Sequence, residues 1–287
     1  MLFKLRRKIK RMIIDLGTMG TEPILNGYLI VSEGEAAIVE TGPSSVTEEY
    51  INRVSKHIDP VRISYALISH VHVDHSGGAW KLSDMLPGVK FALYEKGARH
   101  LIDPAKLIEA STKTLGDIYQ VWGEVRPVSA DRVIALNDGQ AIRIGNYELE
   151  LIAAPGHASH SSAWYLKDEG VMFPGDSMGM LIGSNIWPAA PPPFNMEMFK
   201  QSVERLKKMD PTTVCFPHFG CTGAGIFDDV VSTYMELNEI LRVHCKASDD
   251  QILHEILSMD RYREMPRNYY FREFLKLNLR GLPDYRA

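Results

Sequence analysis

Four side chains able to bind a metal fall within six residues: His70-Val71-His72-Val73-Asp74-His75. Imidazole and carboxylate together suit zinc, iron or manganese. A lone histidine is more often a packing or surface residue. A run this dense, directly after the apolar stretch 63–69, is hard to explain by packing. On a strand His70, His72 and Asp74 would share one face, whereas in a loop all four could converge on one point. Three later positions repeat one context. Residues 149–156, ending in Pro155-Gly156, lead to His157; Val171-Met172-Phe173-Pro174-Gly175 leads to Asp176; and Val214-Cys215-Phe216-Pro217 leads to His218. A Pro or Pro-Gly corner frees the chain from a β-ladder and aims the next side chain away from the sheet.

The elements that must position these groups follow from periodicity. Residues 26–31 and 36–39 read as strands separated by Ser32-Glu33-Gly34, and Val46, Tyr50, Ile51 and Val54 recur at helical spacing over 46–57. Residues 63–69, 79–86 and 89–94 read strand, helix, strand, the pattern of a layered α/β arrangement. A helical block over about 95–123 interrupts the ligand series as an insertion. Strands return over 132–153, with Asn137-Asp138-Gly139 and Gly145-Asn146 as hairpin turns. Residues 162–166 and 171–173 form another hairpin; a helix over 196–209 and a strand over 213–216 follow. Three helices then run over about 228–245, 249–259 and 267–279, with Ser248 placed to cap the middle one.

Composition bounds the partners. The 287 residues hold 45% hydrophobic and 24% charged residues, an ordinary globular balance. Lys and Arg number 32 against 36 Asp and Glu, a net charge of −4, which argues against nucleic acid as the main partner. Three cysteines (215, 221 and 245) are too few for a disulfide framework, and at most one bridge could form. Cys221 is expected to be buried and inert. The basic start, residues 1–12, reads as a solvated arm or edge strand. It has no secretory apolar core, and no run of about 20 apolar residues would insert stably in a membrane. A cytoplasmic location and a small-molecule substrate are expected.

The run His70-x-His72-x-Asp74-His75, then His157, Asp176 and His218, resembles the metal-binding pattern of the metallo-β-lactamase superfamily, over about residues 13–225. The resemblance implies an α+β fold, a four-layer αββα sandwich with metals at one sheet edge. It implies a domain over 1–230 and a helical extension, 231–287, packed on it. It also implies two divalent metal ions, zinc first, with iron or manganese accepted by the same ligands. His70, His72 and His157 would hold one; Asp74, His75 and His218 the other; Asp176 would bridge them. The pattern is closer to glyoxalase II and lactonase-type hydrolases than to true β-lactamases, which usually replace one second-site ligand and carry an export signal. One departure is Glu40, where many relatives end the early strand in Asp-Thr-Gly.

Such a site implies a hydrolase. Two metals about 3.5–4 Å apart share a water and bring its pKa from about 15.7 towards 7, so a bridging hydroxide can attack a carboxyl thioester, lactone or related ester. Asp74 and Asp176 would orient it as catalytic residues. No serine nucleophile is required, and no Gly-x-Ser-x-Gly elbow is present. Two alternatives stand beside this: a phosphodiesterase, and a diiron oxygen-binding, redox or sensor protein. Diiron relatives usually carry Glu where this chain has His72.

The pocket is expected between the insertion, around 99–122, and the Pro-rich loop 186–194, with Trp187 and Phe194 offering apolar surface or covering a core edge. His160 has no metal role in the family pattern. His57, His100, His244 and His254 read as structural or exposed helix residues. Tyr269 and Tyr270, with Arg267, Arg272 and Lys276, could reach an anionic substrate or form a solvated helix face. Ile252, Ile256, Phe274 and Leu277 would pack on their own chain or form a homodimer face.

Overall fold

The computed structural model describes residues 11–19, 25–262, 265 and 268–285. The basic residues 1–10 and Arg267 lie outside them. The first sheet holds β1 (Arg11–Met19), β2 (Leu25–Ser32), β3 (Glu35–Val39), β4 (Ile63–Leu67), β5 (Lys90–Tyr94) and β6 (Val133–Leu136), hydrogen-bonded in that order. The chain then enters β7 (Ala141–Ile144), β8 (Tyr147–Ala153), β9 (Ser162–Leu166) and β10 (Val171–Phe173). A small hairpin, β11 (Met180–Ile182) and β12 (Asn185–Trp187), precedes β13 (Thr213–Phe216) and β14 (Gly220–Gly223). The second sheet runs β14-β13-β10-β9-β8-β7.

The helices are α1 (Thr47–Val54), α2 (Val73–Ser76), α3 (Ala79–Met85), α4 (Glu95–Ile102), α5 (Ala105–Leu115), α6 (Asp117–Trp122), α7 (Met196–Lys208), α8 (Phe227–Val243), α9 (Asp249–Ser258) and α10 (Tyr269–Leu279). Side-chain alternation along β2 builds the layers. Tyr28 and Ile30 pack between the sheets against Leu149, Leu151 and Phe173, whereas Leu29 and Val31 join Tyr50, Val54, Leu82 and Leu101 from the helices outside. The outer face of the second sheet packs Ile152, Ala163, Met172 and Val214 against Phe199, Val203, Val230 and Leu237. The result is the expected αββα sandwich. Helices α8, α9 and α10 contribute to the same core cluster through Tyr234, Ile256 and Leu275, and the Ser248 cap forms a reciprocal pair with Gln251.

Several expectations change. Asn137-Asp138-Gly139 is not a hairpin turn: β6 pairs with β5 in the first sheet and β7 with β8 in the second, so this turn carries the chain between sheets. Turn chemistry specifies a reversal; which strands then pair depends on the layers they bury. His57 lies past the end of α1 in an exposed turn. Cys221 is exposed and bonded to Cys215, its direct neighbour across β13 and β14. Trp187 is fully buried in the core, edge-on to Tyr262 at 5.1 Å between ring centres. Tyr269 and Tyr270 are exposed, while Arg272 and the buried Lys276 reach Asp250 of α9. No described helix is long and apolar enough to cross a membrane.

Candidate metal centre

Strand directions bring the four ligand segments to one edge. β10 runs parallel to β13 and antiparallel to β9, and β9 is antiparallel to β8, so β8, β10 and β13 end on the same side. His157, Asp176 and His218 follow those three ends. The first sheet delivers the fourth segment from β4. It is tied to the second where Ser162 donates to the Ser69 carbonyl from its backbone N (2.9 Å) and its Oγ (2.8 Å). The Trp164 indole also donates to the Ile68 carbonyl, at 3.2 Å.

The run 70–75 converges because it is neither strand nor simple loop. His70 and His72 leave β4 in irregular backbone, and Asp74 and His75 lie on the single turn of α2. Gly175 adopts φ +54°, and a Cβ there would collide with the Ser69 side chain, so the corner that presents Asp176 requires glycine. At Gly156, φ is +140° and a Cβ would meet the Phe199 backbone at 2.5 Å. The corner before His157 is therefore pressed against α7.

Three imidazole nitrogens meet at one point. His70 Nε2 is 3.1 Å from His72 Nδ1, and His157 Nε2 is 3.1 Å from the former and 2.8 Å from the latter. Asp74, His75 and His218 form a second group, and Asp176 lies between the two. Its Oδ1 is 3.4 Å from His75 Nε2 and 3.5 Å from His218 Nε2, while Oδ2 is 3.7 Å from His157 Nε2. Asp74 Oδ2 is 3.6 Å from His75 Nε2 and 3.8 Å from His218 Nε2. His70-His72-His157, His70-His75-Asp176 and Asp74-His75-His218 each gather their ligand atoms within 4.8 Å and could hold a metal ion. All seven residues named from sequence are thus brought together.

Outer contacts aim the rings. His157 Nδ1 faces the Ala189 carbonyl at 2.7 Å; a carbonyl only accepts, so Nδ1 donates and Nε2 keeps its lone pair for the cluster. Ala189 is held in turn by its N–H bond to the Tyr234 hydroxyl, 2.8 Å. Ser69 Oγ lies 3.0 Å from His70 Nδ1. Glu40 is buried with φ +61°; its Oε2 accepts from the Ser69 N–H at 3.2 Å, and Oε1 is 3.4 Å from His75 Nδ1.

Electrostatics separate the two groups. Burial, then the neighbouring imidazoles, lowers His70 and His72 well below the usual histidine value. Burial also lowers His157 against the pull of Asp176. These three present neutral nitrogens. For His75 burial acts downward but Asp176 and Asp74 outweigh it, raising the group well above its ordinary value. Burial acts upward on Asp176, yet His75 and His218 hold it far below the carboxylate range. Asp74 is raised by burial, with Asp176 adding to the effect against His75. A cation fits this donor set: buried Asp176 Oδ1 and His75 Nε2 have no hydrogen-bond partner among the described residues, and buried polar atoms are rarely left so.

A cavity of about 370 Å³ opens on the cluster. The insertion and the Pro-rich loop line it as expected, the latter through Pro191, Pro192 and Pro193 rather than Trp187. His100 and His160 also line it; burial, then the neighbouring His157, pushes His160 down to about 3. The expected insertion range covers His100 and Lys106 without singling them out, and sequence alone reads His100 as structural or exposed; Phe274, Leu277 and Asn278 of α10 are not expected from it as lining residues. The spacing of the last three, one helix face, was a signal that α10 packs over something; what it covers is visible only in three dimensions.

A family model described as the metallo-beta-lactamase superfamily matches residues 20–218. The metallo-beta-lactamase fold-containing protein ST1585 of Sulfurisphaera tokodaii is 26% identical over 233 residues, which cover 79% of this chain and 85% of that protein. The crystal structure of ST1585 aligns with TM-score 0.71 at 23% identity, covering 95% of this chain and 98% of that one. TTHA1429 from Thermus thermophilus, a metallo-beta-lactamase family protein, aligns with TM-score 0.70 at 20% identity, covering 95% of this chain and 92% of that one. These structural likenesses establish the fold. The anaerobic nitric oxide reductase flavorubredoxin of Aliivibrio fischeri is 23% identical over 277 residues, 93% of this chain but only 49% of that protein.

Proposed function

This chain belongs to the metallo-β-lactamase superfamily, and on that premise we propose that it is a dinuclear metal-dependent hydrolase acting on a carboxyl thioester, lactone or related ester. The observation that carries the reading is the placement of Asp176, whose two oxygens face different ligand groups. A carboxylate between two groups of imidazole and carboxylate ligands is the arrangement a two-metal site requires. His70, His72 and His157 would hold one ion and Asp74, His75 and His218 the other, with Asp176 available to both. Zinc is the first expectation, and iron or manganese are accepted by the same ligands.

Two such ions, when bound, supply a hydroxide at neutral pH and a Lewis acid for a carbonyl oxygen. The protein's part is positional. Asp74 and Asp176, which line the cavity, would orient the nucleophile, while Ser69, Glu40 and the Ala189 carbonyl lie against the rings of His70, His75 and His157. The apolar part of the lining, including Leu107, Trp122 and Phe274, lowers the local dielectric and strengthens each polar contact made there. A cavity of this size suits a small molecule, in keeping with the acidic net charge.

The similarity to the flavorubredoxin gives a second reading, a diiron redox protein. His72 counts against it, since diiron relatives usually carry Glu at that position. One experiment separates the two: metal analysis of the purified protein with a screen of thioesters and lactones under air. About two equivalents of zinc or manganese with turnover supports the hydrolase. Two of iron with oxygen consumption and no hydrolysis overturns it. Asp176→Asn should lose at least one equivalent of metal with the fold retained; full metal content in that variant would sink the ligand assignment.

A further inference from the structure

The composition of the cavity wall narrows the substrate, granted the hydrolase reading on which this rests. Leu107, Leu115 and Trp122 of the insertion and Phe274 and Leu277 of α10 give the lining a broad apolar portion. Residues 274 and 277 lie beyond the stretch that the family model matches. Apart from Asp74 and Asp176 at the metal cluster, no carboxylate among the described residues lines the cavity. One cation does. Lys106, near the start of α5, is solvent-exposed at the rim and makes no ion pair or hydrogen bond among the described residues.

Its acidic neighbours are turned elsewhere. Asp103 bonds back to the Ala105 N–H at 3.2 Å, and Glu109 does not reach the cavity. His100, beside Lys106 in the lining, accepts from Arg99 Nε at 3.2 Å on its Nε2, so the ring is neutral. Burial lowers His100 first, and Arg99 and Lys106 lower it further. Asp103 acts on His100 in the opposite sense from outside the lining, and among the described lining residues Lys106 is the cation available to a bound anion, beside apolar surface.

We propose that Lys106 is a specificity residue, and that the substrate is an ester or thioester with an apolar acyl body bearing a negatively charged group that pairs with it. A charge pair at a solvent-exposed lysine changes affinity by about two- to fivefold.

The test compares two unreactive probes of equal length, hexanamide and the monoamide of hexanedioic acid, by calorimetry on the metal-loaded protein. The anionic probe should bind about two- to fivefold more tightly. Lys106→Glu should abolish that preference, Lys106→Ala should reduce it, and Lys106→Arg should keep most of it. Equal affinity for both probes overturns the proposal, as does no measurable binding of either. A preference that survives Lys106→Glu but vanishes on chelation also overturns it, because the anion is then held by metal. Turnover of the thioesters of the same two acids is read separately. Binding preference without turnover of either thioester keeps the Lys106 site and sinks the hydrolase. Turnover of both thioesters alike, unchanged in Lys106→Glu, does the reverse.

Discussion

Glu40 Oε1 lies 3.4 Å from His75 Nδ1, while the other oxygen of the same carboxylate holds the Ser69 N–H. One buried acid thus orients a ring of the metal cluster and fixes the backbone just before His70. Glu40 does this from a left-handed backbone conformation, φ +61°. Glu40→Ala should therefore weaken metal binding by about 10- to 100-fold, the usual cost of removing such an outer partner. Competition with a chromophoric chelator measures it; unchanged affinity would reduce Glu40 to a packing residue.

Trp187 should matter to stability and not to substrate. It is fully buried against Tyr262 and absent from the cavity lining. Trp187→Ala is expected to cost about 3–5 kcal/mol of unfolding free energy, read from urea denaturation, with KM unchanged. A shifted KM at undiminished stability would contradict the placement.

The tyrosines set an alkaline limit. Burial raises Tyr28, Tyr50 and Tyr234 above the usual phenol range, and pushes Tyr262 up to about 12. Tyr28, Tyr50 and Tyr262 donate to the carbonyls of Phe216, Val39 and Ile186, bonds that ionisation would remove. The folded value is raised, so their contribution is complete below the unfolded value near 10 and is lost as pH climbs towards the folded one. Stability should fall above about pH 10, by up to about 1.4 kcal/mol per pH unit for each such tyrosine. Urea midpoints from pH 7 to 11 would show it; a flat profile would refute it.

The cross-strand bridge flanks His218. Cys215 and Cys221 close a short loop, separation 6, around Pro217-His218-Phe219, and a loop of that length is worth about 2 kcal/mol on chain entropy. Thiol titration of the unreduced, unfolded protein should find one thiol, Cys245, and three after reduction. Cys221→Ser should lower stability by about 2 kcal/mol. Three thiols without reductant would show that the bridge does not form.

The metal cluster was legible in the sequence because its residues are chemically costly to gather for any other reason. The three later ones also each follow an apolar strand and a breaker, so local pattern alone indicated that His157, Asp176 and His218 leave strand ends. Strand alternation and the resemblance carried by the ligand motif likewise indicated the layers. Local pattern could not say that Asn137-Asp138-Gly139 crosses between sheets, that Trp187 faces the core, or that Cys221 meets Cys215. Each depends on which face of an element is covered and by what, a long-range property set by packing. The cavity belongs wholly to the tertiary structure: Lys106 and Phe274 are 168 positions apart in the chain and share its wall only because α5 and α10 fold over the same sheet edge.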